Sequence, residues 1–269
     1  MTEHNPRARR LSRSGRWLRG AAGLAILIAA TEILGRSGIV DRSSFPPASD
    51  ILARAVGLAG DPDFQTNLLS TIKAWALGLA IAVVGGVPLG LLIGGVPAVG
   101  TALRPILEFL RPIPSVALIP LVGLILGAGI RTESTLIVYA ALWPVLYNTI
   151  YGLQDVDPVA KETLRTFGFG RLAVMWRVSL PAAAPFIATG IRLAAAVALI
   201  LAVSTEILSG FGEGIGIFIA QAQSGIDSAK DVLAGTVWAG ALGLIINAVL
   251  VKAERRLFRW HAAQSGGRS

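Results

Sequence analysis

The chain reads as long apolar runs separated by short clusters of charge. A helix needs about 20 apolar residues to cross the hydrocarbon core of a bilayer. Residues 74–103, 112–130, 134–154 and 232–251 carry no charge at all. The stretch 20–35 carries one, Glu32, and the stretch between Arg177 and Glu206 carries one, Arg192. These runs predict six spans, at 18–35, 70–95, 113–130, 134–153, 182–207 and 232–251. The runs are continuous and rich in Ala, Leu and Gly, whereas a membrane barrel alternates apolar and polar positions in segments of about ten residues. The expected fold is an all-α integral membrane bundle of six transmembrane helices.

This pattern divides the chain into a basic tail (1–17), a first span (18–35), a loop with a short helix near 48–58 (36–69), a core (70–251) and a C-terminal tail (252–269). The first span is expected to stay in place and not to be cleaved as a signal peptide, because Thr31 and Glu32 stand where a small-x-small site would be needed. Seventeen of the 24 Lys and Arg fall in the leader, the loop after span two, the segment 155–180 and the C-tail. Positive residues gather on the cytoplasmic side, so both termini are expected there, with 36–69 and 210–226 outside. The same asymmetry accounts for the net charge of +8 without nucleic acid, and no basic stripe interleaved with aromatics is present.

Composition then narrows the chemistry. Hydrophobic residues make up 54% and charged residues 15%, which speaks against a cytosolic enzyme. Cysteine is absent, and the histidines His4 and His261 lie in the tails. No thiol or imidazole is left in the body for catalysis or metal binding, so no catalytic or metal-ligating residue is expected. The only acids assigned to spans are Glu32 and Glu206, both near span ends, with Arg131 in a connection outside.

The segment 155–180 is the most informative loop. Asp157-Pro158 is a helix start, with Asp as N-cap and Pro at the first helical position. Ala160, Leu164 and Phe167 form one apolar stripe, from which Glu162, Arg165 and Thr166 point away. Gly168 ends the helix as a C′ glycine. A second short helix is expected over 170–178, with Leu172, Met175 and Trp176, ending at Leu180-Pro181. Two readings stay open on these residues: a hairpin lying on lipid headgroups, or a docking element for a cytoplasmic partner.

The segment resembles the EAA loop of ABC importer permeases. Glu162 takes the acidic position, Gly168 the glycine and Leu180-Pro181 the closing pair, while Thr163 and Leu164 replace two small residues. PIPSVALIPLVGLILGAGI (112–130) resembles the third span of permeases in the nitrate/sulfonate/taurine group, and FPPASDIL a segment before their periplasmic helix. GIRLAAAVALILAVSTEILSGFGEGIGIFIAQAQ (190–223) resembles their run of Gly-x-Arg, Glu-Thr-Ile and Gly-Ile-Gly, with Arg192 and Glu206 at the matching positions. The resemblance covers roughly residues 45–260.

It implies a type I ABC importer permease-like bundle with a cytoplasmic coupling helix, in a bacterial inner membrane. It further implies a homodimer, or a pair with a similar permease, two ATP-binding cassette ATPase subunits and an extracytoplasmic substrate-binding protein. ATPase coupling would then fall to Ala160, Glu162, Thr163, Leu164, Phe167 and Gly168. No cofactor is expected on the chain itself, ATP and Mg being held by the ATPase. The chain contains no G-x-x-x-x-G-K-[ST] phosphate loop. Implied cargo is a small anion such as an aliphatic sulfonate, taurine or nitrate, with a thiamine precursor or another small nitrogen compound as the alternative.

Arg192, Glu206, Asn148 and Ser204 are the polar candidates for the pathway or an interface. Arg192 falls about 16 Å along its helix from Pro181, deep enough to be costly unless it faces inward. Pairing that fixes helix packing is favoured for it, while packing and pathway roles stand equal for Glu206. Asn148 and Asn247 are expected to bond between helices. Lys73 is expected to snorkel to headgroups. Gly78, Gly85, Gly86, Gly90, Gly94 and Gly95 suit close helix approach, with Pro88 as a kink. The segment 210–226 is expected to dip into the membrane or to gate its outer mouth. Competing classes are an ion-gradient-driven transporter or channel, a membrane enzyme and a membrane scaffold.

Overall fold

A computed structural model describes residues 13–41, 44–127, 129–210, 212–225 and 228–258, with side chains from Leu18 onward. The leader up to residue 12 and the tail beyond 258 lie outside the described residues. Among the described residues all regular structure is helical: α1 (Arg13–Arg36), α2 (Ala48–Leu58), α3 (Pro62–Gly95), α4 (Pro97–Leu110), α5 (Ile119–Leu126), α6 (Ile130–Gln154), α7 (Pro158–Thr166), α8 (Arg171–Val174), α9 (Leu180–Ser209), α10 (Ile215–Ala222) and α11 (Ser228–Leu257). A 3-10 turn (Ser115–Leu118) precedes α5, and a π turn (Met175–Ser179) joins α8 to α9.

Helix α3 begins well before residue 70. Asp61 accepts hydrogen bonds from the backbone N–H groups of Asp63 and Phe64, and Pro62 takes the first helical position, so the turn residues GDPDF start the span instead of preceding it. Its 34 residues extend about 50 Å, well beyond a hydrocarbon core of about 30 Å.

The core is α3, α6 and α9. A Cβ on Gly78, Gly86, Gly90 or Gly94 of α3 would strike Ile137, Val145, Thr149 or Leu153 of α6, respectively. These four therefore let the two backbones approach closely, as expected, whereas a Cβ on Gly85 meets nothing within 4 Å and one on Gly95 only the end of Met175. Both series of numbers rise together, so α3 and α6 run parallel and the chain must recross the membrane between them. Helices α4 and α5 supply that crossing as one span bent by 74°. With it the described residues hold six candidate crossings, five of them single helices long and apolar enough to span a membrane.

The expected third span is corrected here. The 3-10 turn and α5 are too short to cross alone, and most of the expected loop 96–112 is α4. Val96-Pro97 breaks a charge-free run that shows no interruption in composition. Pro112 and Pro114 then prevent α4 from continuing into α5. At the bend the Tyr139 hydroxyl donates to the Leu110 carbonyl at 2.8 Å, which satisfies one of the orphan acceptors of a helix end.

Helix α9 lies antiparallel to α6. Gly152 of α6 abuts Ala183 and Phe186, and Gly190 of α9 abuts Pro144 and Asn148. The Trp75 indole N–H ties α3 to α9 by donating to the Ala195 carbonyl at 2.9 Å. The expected break at Leu180-Pro181 is absent: the π turn carries the chain from α8 into α9 without a stop, and Pro181, which has no N–H to give, directly follows that turn.

Helices α10, α11 and α2 cover one side of the core. Ala55, Leu58, Phe64 and Ala234 bury together, and the Trp238 indole N–H donates to the Ala55 carbonyl at 2.8 Å. Helix α1 is joined mainly through Glu32, which accepts from the Ser49 N–H at 2.9 Å, the Ser49 hydroxyl at 3.0 Å and Arg36 at 2.6 Å. The acid that interrupts the first apolar run is thus the latch between α1 and α2. Leu24, Leu27 and Ile33 of α1 remain exposed, as a lipid-facing helix requires.

Candidate functional site

Two regions of the bundle carry chemistry, at opposite ends of α6. At the end marked by Gln154, α7 and α8 project from the core. Asp157 accepts from the Val159 N–H at 2.9 Å, with Pro158 following, so the expected N-cap is present. At the other end of α7 the Phe169 N–H reaches the Leu164 carbonyl at 3.1 Å and the Gly168 N–H reaches the Arg165 carbonyl at 2.9 Å. That pair of bonds is a Schellman motif. It needs the left-handed φ of +81° at Gly168, which an L side chain adopts only with strain.

The expected stripe divides. Ala160 and Leu164 are half-buried toward the core, but Phe167 is 77% exposed, and Glu162 and Thr163 face solvent. Val159, Leu172 and Trp176 are exposed on the same element. Lys161 donates to the Leu153 carbonyl at 3.1 Å, which holds the element against the end of α6, and within the element Arg177 stacks over the Phe169 ring at 4.7 Å. The arrangement is a rigid short helix with an unpartnered apolar surface.

The second region joins the end of α9 to α10. Glu206 is fully buried, and both its oxygens are engaged: Oε1 accepts from the Thr71 hydroxyl at 2.8 Å and Oε2 from the Gly216 N–H at 2.7 Å. Thr71 also accepts from the Ile215 N–H at 2.9 Å, and Asn67 accepts from the Gly214 N–H at 2.7 Å. Three consecutive N–H groups at the start of α10, which a helix leaves orphaned, are satisfied by side chains of α3 and α9. Negative charge is also favoured at a helix N-terminus. A Cβ on Gly214 would collide with the Glu206 carboxyl, and one on Gly216 with the Val203 carbonyl. The glycine-rich segment after Gly210 therefore folds into a short packed helix, with Ile215, Ile217 and Ile219 buried.

The other polar candidates are scattered. Arg192 pairs with Glu254 of α11 at 3.3 Å, a contact that fastens α9 to α11. Asn148 donates to the Pro144 carbonyl within its own helix at 2.8 Å and packs against Gly190, which corrects the expected bond between helices. Asn247 is exposed and makes no such bond either. Ser204 is half-buried on α9, and Lys73 is exposed.

One residue escaped the sequence reading. Glu133 falls between the expected spans 113–130 and 134–153, but α6 begins at Ile130 and turns Arg131 outward and Glu133 inward, to 4% exposure. The signal was available: Glu133 lies one turn before Leu136 and Ile137, and two before Ala140 and Ala141, on the buried face of α6. Glu133, Thr132, Thr205, Ile119, Pro120 and Leu208 line a cavity of about 330 Å³. The Thr205 hydroxyl, also buried, has no hydrogen-bond partner among the described residues.

Comparison with known proteins agrees with this architecture. Residues 86–259 match the family described as binding-protein-dependent transport system inner membrane component. The chain is 29% identical over 244 residues to the taurine transport system permease protein TauC of Escherichia coli, covering 88% of each chain. It is 30% identical over 195 residues to the nitrate import permease protein NrtB of Leptolyngbya laminosa, covering 72% of this chain and 69% of that one. The fold is similar to a chain in the crystal structure of a bacterial ABC transporter involved in the import of the acidic polysaccharide alginate. The TM-score there is 0.61 at 18% identity, over 90% of this chain and 96% of that chain. The chain belongs to the binding-protein-dependent transport system inner membrane components, as an ABC importer permease of the nitrate/sulfonate/taurine group.

Proposed function

We propose that this permease forms the translocation pathway of an ATP-driven importer for a small solute of the sulfonate, taurine or nitrate class. A substrate-binding protein delivers the solute from outside, two copies of the chain pair around the pathway, and two ATPase subunits dock beneath. Both termini and α7 face the cytoplasm, where the basic residues of 155–180 belong by the positive-inside rule. TauC and NrtB, named for taurine and nitrate, support the solute class.

The observation that carries the reading is the α7–α8 element. An apolar surface held on a capped, rigid helix is suited to press into a groove on a partner. Phe167, Val159 and Trp176 supply apolar burial there, and Glu162 supplies a charge for the rim. Docking converts ATPase closure into movement of α6 and α9, to which the element is tied at both ends.

The test is co-purification from detergent-solubilised membranes. A non-Gly residue in the left-handed region costs about 1–2 kcal/mol. Glu162→Ala combined with Gly168→Val is therefore expected to lower ATPase retention roughly tenfold or more, while the permease still inserts at normal levels. Equal retention by wild type and double variant would remove α7 from the interface. Loss of membrane insertion in the double variant would assign Gly168 to folding instead.

A further inference from the structure

We propose that the cavity between α5, the start of α6 and the end of α9 binds the protonated amine of a small solute, with the Glu133 carboxylate as counter-ion and the Thr205 hydroxyl as acceptor. The proposal rests on the importer reading for the identity of the ligand as the transported solute, and of the solute classes proposed above it selects the amine-bearing one, taurine, over nitrate and sulfonates without an amine. Its physical basis is independent of that reading.

Glu133 is 4% exposed and Thr205 1%. Among the described residues no hydrogen bond or ion pair reaches the Glu133 carboxylate, and the Thr205 hydroxyl also lacks a partner. Acids inside membrane helices are rare and mark substrate or ion pathways by default, because burial without a partner is so costly. Here two unpartnered polar side chains from different helices line one cavity. An anion would meet repulsion from Glu133. A divalent metal asks for six or more oxygens, usually from several carboxylates or waters, and this lining offers a single acid. An ammonium group carries one positive charge and three N–H donors. It matches one carboxylate and a hydroxyl acceptor. Ile119, Pro120 and Leu208 supply apolar walls for the methylenes behind it. A volume of about 330 Å³ equals the share of about ten waters, enough for a small amine and nothing macromolecular.

The experiment uses the purified permease–ATPase complex in lipid nanodiscs, followed by intrinsic fluorescence during heating, to which each permease chain contributes six Trp. Ethylammonium chloride is compared with tetramethylammonium chloride at equal ionic strength, since the latter keeps the charge but has no N–H. Ethylammonium at saturating concentration is expected to raise the Tm by about 3–6 °C. Tetramethylammonium is expected to leave it unchanged, Glu133→Gln to abolish the shift and Thr205→Val to reduce it. Thr205→Val is isosteric and keeps the test decisive where Glu133→Gln fails to accumulate. Equal shifts with both salts, a shift that survives in Glu133→Gln, or no shift in wild type would each overturn the proposal. The last result is also what a basic side chain from a second permease copy would produce. ATPase retention, scored on the same preparation, separates the two readings. Retention without an ethylammonium effect overturns the amine site alone, and an ethylammonium effect without retention overturns the importer reading alone.

Discussion

Glu206 and Glu133 are both acids within membrane helices, and both are almost sealed from solvent. They differ in what surrounds the carboxylate. Glu206 has Thr71 and the α10 backbone on its two oxygens, and its neighbours Gly214 and Gly216 leave room for nothing else. Glu133 has a cavity in front of it and no partner among the described residues. Burial alone does not separate a structural acid from an available one; the count of satisfied lone pairs does. The first is a cap that assembles α3, α9 and α10. The second is held in reserve for a ligand.

The comparison is tested most severely at Glu206. Glu206→Ala leaves the Gly216 N–H and the Thr71 hydroxyl buried without an acceptor, at about 1–3 kcal/mol each. The expected outcome is a large loss of monodisperse protein after solubilisation and a fall in Tm that exceeds any other single substitution in the bundle. Near-normal Tm and yield would show that water or another group caps α10 equally well, and the contrast between the two acids would then collapse.

The sequence exposed one half of this contrast and hid the other. Six candidate crossings were legible because charge is expensive in hydrocarbon, and the cap at Asp157 and the stop at Gly168 were legible because their backbone chemistry is local. The bend between α4 and α5 was missed, because a charge-free run does not reveal where proline breaks it, and Arg104 and Glu108 look like a loop although they pair along α4 at 2.8 Å. Glu133 was missed because charge clustered near Arg131 imitates a connection. The role of Glu206 was out of reach, since it depends on α10 folding back against α3, which no local pattern encodes.

The glycines offer a second, smaller test of the same contrast. A Cβ at Gly216 would run into the Val203 carbonyl and the Glu206 stem, whereas one at Gly123, in the cavity lining, meets nothing within 4 Å. Gly216→Ala is expected to destabilise by about 1–3 kcal/mol, as overpacking does. Gly123→Ala is expected to be neutral or to stabilise by about 0.5–1 kcal/mol, because helical Ala replaces Gly without strain. Thermal unfolding of the two variants side by side reads the difference. Equal effects would mean that the region around Glu133 is packed as tightly as that around Glu206.

The smallest expected effect is the most discriminating. In the absence of any amine, the unpartnered Glu133 carboxylate contributes no contact and carries a burial cost. Glu133→Gln keeps the shape and removes the charge, so it is expected to leave the Tm unchanged or raise it by about 2–4 °C, the equivalent of about 1 kcal/mol in a domain of this size. The matching substitution Glu206→Gln introduces an amide N–H₂ where both oxygens now accept, so one of the two bonds is lost and the Tm falls. A fall at Glu206 without a fall at Glu133, for one chemical change at two buried acids, is what the partner count requires. A fall at both positions would mean that Glu133 is satisfied within the assembled transporter, by a group from outside this chain.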